Sequence, residues 1–311
     1  MTTNTSPTPA PTLGVIGLGS MGMGAARSAL RQGVPTWGFD PRPQAIAAFR
    51  EAGGNGAGSV AELAAHCDVV LVLVVNAAQT EDVLFGADGL AQKLKPGSVV
   101  IASATVDPAL SPLWEQRLEA KGLWLIDGPV SGGAKKAAAG QMTVMASGKP
   151  EAFAAAGALL NSFAGKVYQL GDRVGVGSTV KMVNQHLAGV HIAAACEAMA
   201  LGIKAGADPH QLYEVITNAA GNSWMFENRV PHILAGDYTP LSTVNIFVKD
   251  LGIVLDAAQQ LRFPLPLAAA AHQLYLSTAA MGLGGEDDSA VVKYFAALAG
   301  LTLPTAKEPQ P

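Results

Sequence analysis

The chain has 311 residues, half of them hydrophobic and only 14% charged, which suits globular domains with a large buried core and excludes a disordered chain. A net charge of −4, without a run of basic residues, excludes the electrostatic footprint of a nucleic-acid binder. Cys67 and Cys196 stand far apart in no metal-binding or redox pattern, so neither a metal site nor a disulfide framework is expected.

Residues 1–12 are Thr/Pro-rich, without the basic start or apolar centre of a signal peptide, and read as a disordered tail. An apolar strand then runs from Leu13 into Gly17-x-Gly19-x-x-Gly22, followed by a helical stretch over 25–31. A second strand, 36–40, ends on Asp40, about 20 residues past the glycines, as a dinucleotide fingerprint requires. In such a turn the first glycine permits the bend, the second lets backbone approach a pyrophosphate, and the third lets helix and strand pack closely. Gly17, Leu18, Gly19, Met21, Gly22 and Asp40 are therefore expected to bind the cofactor. Asp40 favours NAD by accepting from the ribose hydroxyls and repelling a 2′-phosphate, while Arg42 is placed to soften that preference.

Near-continuous apolar strands follow at 68–75 and 98–105, the pattern of a sheet covered on both faces, with further strands at 123–127, 141–146 and 166–170. Ligands bind at the carboxyl ends of such strands, which makes Asn76 and Thr105 cofactor-side candidates, with ordinary turn residues as the alternative. In the run Asp127-Gly128-Pro129-Val130-Ser131-Gly132-Gly133, successive N–H groups and a hydroxyl form either a carboxylate nest or a plain glycine turn.

Residues 175–206 read as a glycine turn and one long helix, apolar on most faces and expected to be buried all round, with Ser178 as its N-cap. Lys181, Asn184 and Gln185 fall at i, i+3 and i+4, on one face. Lys181 is either a snorkelling surface lysine or a desolvated amine tuned for proton transfer. The most apolar window, 187–207, carries His191, Glu197 and Lys204, and reads as a buried helix rather than a membrane span; no membrane partner and a cytoplasmic location are expected. Beyond it only helices are predicted, over 208–218, 223–234, 244–261, 264–281 and 287–298, with Trp224, Met225 and Phe226 as core or lid; for Lys249, inside one of these helices, a surface salt bridge is the bland alternative. The fold class is thus an α/β doubly wound sheet over 13–174 and an all-α domain over 175–302, joined by a long helix, with a second tail over 303–311.

A nicotinamide enzyme needs a group to take the alcohol proton. No tyrosine has a lysine four residues on, and no Cys/His set suits a catalytic zinc, which leaves Lys181 beside its amides as the best acid/base.

Four ordered motifs over residues 13–298 resemble the β-hydroxyacid dehydrogenases, the family of 3-hydroxyisobutyrate dehydrogenase and tartronate semialdehyde reductase. They are Gly17-Leu18-Gly19-Ser20-Met21-Gly22, the 127–133 run, the 175–184 run and Phe247-Val248-Lys249-Asp250-Leu251. The stretch from Asn218 to Arg229 looks most like the branch that oxidises L-threonate, a small sugar acid, at carbon 2 with NAD. The resemblance implies that Lys181 is the catalytic acid/base and that Ser131, Gly132 and Gly133 hold the substrate carboxylate. It also implies that Thr105, Lys249 and Asn76 face the NAD, and that a homodimer or homotetramer closes each site at its domain interface. The family's usual asparagine four residues past the lysine is Gln185 here, so either Asn184 or Gln185 orients the substrate. Gly128 and Ala104 are milder departures. Alternatives are the same chemistry on 3-hydroxyisobutyrate or tartronate semialdehyde, imine reduction, which Lys181 argues against, and a non-catalytic NAD-binding regulator, which the intact Ser-Gly-Gly loop argues against.

Overall fold

The structure, a computed structural model, describes residues 11–305. The tails expected at 1–12 and 303–311 lie outside the described residues except at their inner ends. There Thr12 donates to Asp68 Oδ2 at 2.9 Å, and Leu303 packs against the helical core. Two compact units divide the chain between Lys181 and Met182.

The first unit is built on six strands: β1 (Leu13–Ile16), β2 (Thr36–Phe39), β3 (Asn55–Gly56), β4 (Val69–Val72), β5 (Val99–Ala102) and β6 (Trp124–Asp127). They form one parallel sheet in the order β3-β2-β1-β4-β5-β6, the doubly wound dinucleotide-binding topology. Alternation along the strands feeds two cores. Leu13, Val15, Val69, Leu71, Val99 and Ile101 enter one, and Ile16, Val70, Val72, Val100 and Ala102 enter the other. This two-sided burial is why the strands read as apolar runs.

The strands at β8 (Met142–Ala146) and β9 (Ala164–Gln169) leave this sheet. With β7 (Val130–Ser131) they form a second one, in which β7 is antiparallel and β9 parallel to β8. Only Gly128 and Pro129 separate β6 from β7, and a parallel crossover needs a dozen residues or more. A bridge between Asp127 and Ser147, with both N–H···O bonds at 2.9 Å, ties β6 to the end of β8.

The helix Val176–Lys204 begins in the first unit and runs on into the second, where Pro209–Thr217, Trp224–Ala235, Val244–Gln260, Pro266–Thr278 and Val291–Ala299 follow. Asp208 and Ser223 cap their helices by accepting from the N–H groups of Gln211 and Phe226. The helix expected to reach residue 281 ends at Thr278 and continues as a π turn in which Gly282 takes φ +84°. The second unit's core gathers Ile192, Cys196 and Met199 with Phe226, Val230, Leu251 and Tyr275. Gly189 makes this possible, since a Cβ there would come within 3.0 Å of Leu251 and Phe247. The expectation of all-round burial for the long helix fails. It buries one stripe, while Val180, Val183, Leu187 and Leu201 are exposed, because the helices of this unit cover a single face. By length and composition alone it is apolar enough to cross a membrane.

Arg229 and Asp288 form an ion pair inside the second unit, with Arg229 Nε donating to Asp288 Oδ1 and the acid fully buried. Burial pushes the Asp288 carboxyl up to about 6 from an ordinary 3.8, against the pull of Arg229. A raised acid binds its proton more tightly in the folded state, so its ionisation costs stability above about 6, and that cost fades as pH falls toward 4. Arg229→Met is therefore expected to lose about 3–5 kcal/mol at pH 8, because it strands the carboxylate. The loss should be clearly smaller at pH 5; urea unfolding at the two pH values measures it, and an equal loss at both would contradict this.

Candidate active site

In the first unit the turn after β1 sorts its glycines by function. Gly17 takes φ +93°, where a Cβ would strike the Leu73 carbonyl at 2.5 Å. At Gly22 a Cβ would lie 1.7 Å from the Gly17 carbonyl oxygen, so only glycine lets the helix Ser20–Arg31 pack onto the turn. Gly19 faces open space, with nothing within 4 Å of where a Cβ would be. It is the N-cap of that helix and makes no side-chain cap bond. A turn open at its second glycine, at an uncapped helix start, fits a pyrophosphate.

Asp40 is buried just past β2 and accepts from the Leu18 N–H at 2.8 Å, which joins fingerprint and acid. Arg42 grips the same carboxylate through its backbone N–H, Nε and Nη2 at 3.0, 2.8 and 3.0 Å. Burial works to raise the Asp40 carboxyl, but the Arg42 and Leu18 hydrogen bonds hold it below the usual range. Met21 packs against the core under this turn. Asn76 is a helix cap: its Oδ1 accepts from the Gln79 N–H at 2.9 Å, so that oxygen is committed to the helix Ala77–Phe85. Thr105 lies half-buried three residues past β5.

Ser131 ends β7, and Gly132 and Gly133 follow with φ +126° and +67°. Both glycines stand at positive φ, a region that favours glycine, and a Cβ at Gly133 would meet nothing within 4 Å, so the loop leaves its backbone open to a ligand. The strand end before it is held from β5 by the Ser103 hydroxyl, which donates to the Gly128 carbonyl at 2.6 Å.

Lys181 lies in the second turn of the helix Val176–Lys204, with 8% of its surface exposed. That is far less than a snorkelling lysine leaves in water. Ser178 does not cap this helix, because it lies inside the first turn. The cap is Asp127, about fifty residues earlier at the end of β6. Its Oδ2 accepts from the N–H groups of Gly175 and Ser178, each at 2.8 Å, and its Oδ1 from the Ser178 hydroxyl at 2.6 Å. Gly177 donates to the Ser147 hydroxyl at 2.9 Å, and that hydroxyl lies 3.4 Å from the same carboxylate. A Cβ at Gly177 would meet the Met145 and Asp127 carbonyls at 2.3 and 2.6 Å, and Gly175 takes φ +93°; the glycine turn exists for this approach. Burial pushes the Asp127 carboxyl up, while these donors favour its charge.

In the second unit Asp250, 2% exposed, collects the remaining predicted residues. Gln185 Nε2 and Lys249 Nζ each donate to it, and Asn184 Nδ2 donates to Gln185 Oε1 at 2.9 Å. The Lys249–Asp250 pair is largely buried, which argues against the surface salt bridge that is the bland alternative for Lys249. A Lys-Asp neighbour pair in a helix looks like solvated charge, so the sequence does not single out Asp250. Asp127 heads the 127–133 run, but its partners lie too far along the chain for spacing to reveal them. Trp224 is more than half exposed, and Phe226 is core.

Residues 12–171 match the profile of the NAD binding domain of 6-phosphogluconate dehydrogenase, and residues 175–295 match that of the NAD-binding domain of NADP-dependent 3-hydroxyisobutyrate dehydrogenase. An L-threonate dehydrogenase from Cupriavidus necator is 59% identical over 95% of this chain and 99% of its own length. The L-threonate dehydrogenase of Escherichia coli strain K12 is 54% identical over 95% and 97%. A solved structure described as 3-hydroxyisobutyrate dehydrogenase from Salmonella typhimurium is 54% identical, covers 91% of this chain and 99% of its own, and superposes with a TM-score of 0.87. With this fingerprint, strand order and pair of domains, the chain belongs to the β-hydroxyacid dehydrogenases related to 3-hydroxyisobutyrate dehydrogenase, enzymes that use a nicotinamide dinucleotide.

Proposed function

We propose that this enzyme oxidises L-threonate at carbon 2 to 2-oxo-tetronate with NAD, using Lys181 as the general base. The observation that carries the reading is a lysine buried to 8% exposure, on a helix start bonded to the strand that leads into the Ser131-Gly132-Gly133 nest. Relatives named L-threonate dehydrogenase at 52–59% identity over nearly the whole chain support the substrate.

The nest residues receive the substrate carboxylate through the Gly132 and Gly133 N–H groups and the Ser131 hydroxyl. Lys181, uncharged, takes the proton of the carbon-2 hydroxyl as the C–H bond breaks. NAD, when bound, supplies the hydride acceptor. The glycine turn at Gly19 and the carboxylate of Asp40 hold its pyrophosphate and ribose, and Thr105, Lys249 and Asn76 are assigned to the cofactor side.

The hydrogen bonds at Asp250 favour Asn184 as the amide that faces the substrate. Gln185 turns its NH2 group to Asp250, and its oxygen receives the Asn184 NH2. Gln185 is thereby a brace. Asn184, half-buried, keeps its oxygen for a substrate hydroxyl, which suits a polyol acid.

The exposed apolar side chains Leu187, Leu201, Leu261, Phe263 and Leu267 support self-association of the helical unit as a homodimer or homotetramer, in the cytoplasm. The Salmonella typhimurium structure favours one second reading, 3-hydroxyisobutyrate, whose reacting hydroxyl stands one carbon further from the carboxylate.

On an acid panel with NAD, L-threonate is expected to give the highest kcat/KM; a higher value for 3-hydroxyisobutyrate would select the second reading. Lys181→Ala should cut kcat by about 10³-fold or more with NAD affinity unchanged, and a near wild-type rate would end the assignment. Because Arg42 both neutralises Asp40 and stands ready for a 2′-phosphate, Arg42→Leu should raise the NAD-over-NADP ratio of kcat/KM by roughly 10-fold or more, one charge-assisted hydrogen bond. An unchanged ratio would show that Arg42 plays no part in cofactor choice.

A further inference from the structure

We infer that Asp127 is a positioning residue for the reaction. From the end of β6 it fixes the first turn of the helix bearing Lys181, and it stands four residues before the nest, so one side chain sets the acid/base against the carboxylate site. This rests on the reading of Lys181 as the base and adds to it the residue through which the base is held.

The anchoring is tight on every side. The carboxylate receives two backbone N–H groups at 2.8 Å and a hydroxyl at 2.6 Å from the helix start. Ser147 adds a second link, accepting from the Gly177 N–H while its own backbone is paired with that of Asp127. Asp127 is 1% exposed, and Gly177 lets helix and strand approach closely, since a Cβ there would lie 2.6 Å from the Asp127 carbonyl oxygen. Beyond Asp127, the backbone N–H of Gly128 donates to the Ala102 carbonyl at 2.9 Å, so β5 holds the other side of the same strand end. Lys181 is one turn past Ser178. A helical turn is stiff, so a shift at Ser178 is passed to the amine, and a misplacement of about 1 Å costs on the order of 10²-fold in rate.

The carboxylate also acts through charge. The start of a helix is its positive end, which disfavours a protonated lysine nearby, and an anion seated there opposes that field. Removing the charge while keeping the shape should therefore lower the proton affinity of Lys181.

The test uses Asp127→Asn in the full-length enzyme with NAD and L-threonate. The amide oxygen can still accept from the helix N–H groups, so the fold and the NAD affinity should persist. We expect kcat to fall by about 10–100-fold with KM for the acid changing far less, and the acidic limb of the kcat–pH profile to move to lower pH. A plain packing role would lower the melting temperature without moving that limb. Ser178→Ala, which deletes one of the donors, serves if the first variant does not fold. It should lower kcat several-fold, and it too should leave NAD affinity unchanged. Wild-type kcat and pH profile in Asp127→Asn, or in Ser178→Ala should it be needed, would overturn the inference. Lys181→Ala run alongside separates the two ideas. If it abolishes turnover while the Asp127 variant behaves as wild type, only the positioning role fails; if it retains turnover, the base assignment itself fails.

Discussion

A carboxylate buried between a strand end and a helix start is the constraint on which the candidate site in the first unit depends. Asp127 accepts from Gly175, from both donors of Ser178 and from Ser147, and so converts the open end of a long helix into a fixed point on the sheet. Left alone, the first-turn N–H groups of that helix would be buried without partners, each a cost of about 1–3 kcal/mol. Meeting them with an acid removes the cost and counters the helix dipole. It also sets the direction in which the next turn, and with it Lys181, leaves the sheet.

Much of the fold was legible because its signals are local. The glycine fingerprint, the acid ending β2 and the apolar runs at β4 and β5 each follow from a backbone that must bend, approach a phosphate or be covered on both faces. Other features were silent. β3 and β7 have two residues each, too few to show a period. The second sheet was hidden because its existence turns on a two-residue connection between β6 and β7, not on any property of β8 itself. The long helix looked buried all round because composition does not reveal how many faces its neighbours cover.

At the candidate site the same division holds. Lys181 stands out in the sequence as a charged residue near the start of an apolar helix, and burial to 8% exposure separates it from a surface lysine. Ser178 was assigned the capping role because capping is usually local, whereas the true cap arrives through the tertiary fold. Asp250 was passed over beside Lys249, yet it orders Gln185 and, through it, Asn184. Gln185, where the resemblance implies an asparagine, donates to the buried Asp250 through its longer side chain.

The central claim is that the amine of Lys181 meets the reacting hydroxyl while the nest holds the carboxylate of the same molecule. A crystal structure with NAD and L-threonate bound measures this directly. Lys181 Nζ is expected within about 3 Å of the carbon-2 oxygen, and the carboxylate on the Gly132 and Gly133 N–H groups. A substrate bound with its carboxylate elsewhere, and the Lys181 amine turned into bulk water, would contradict it.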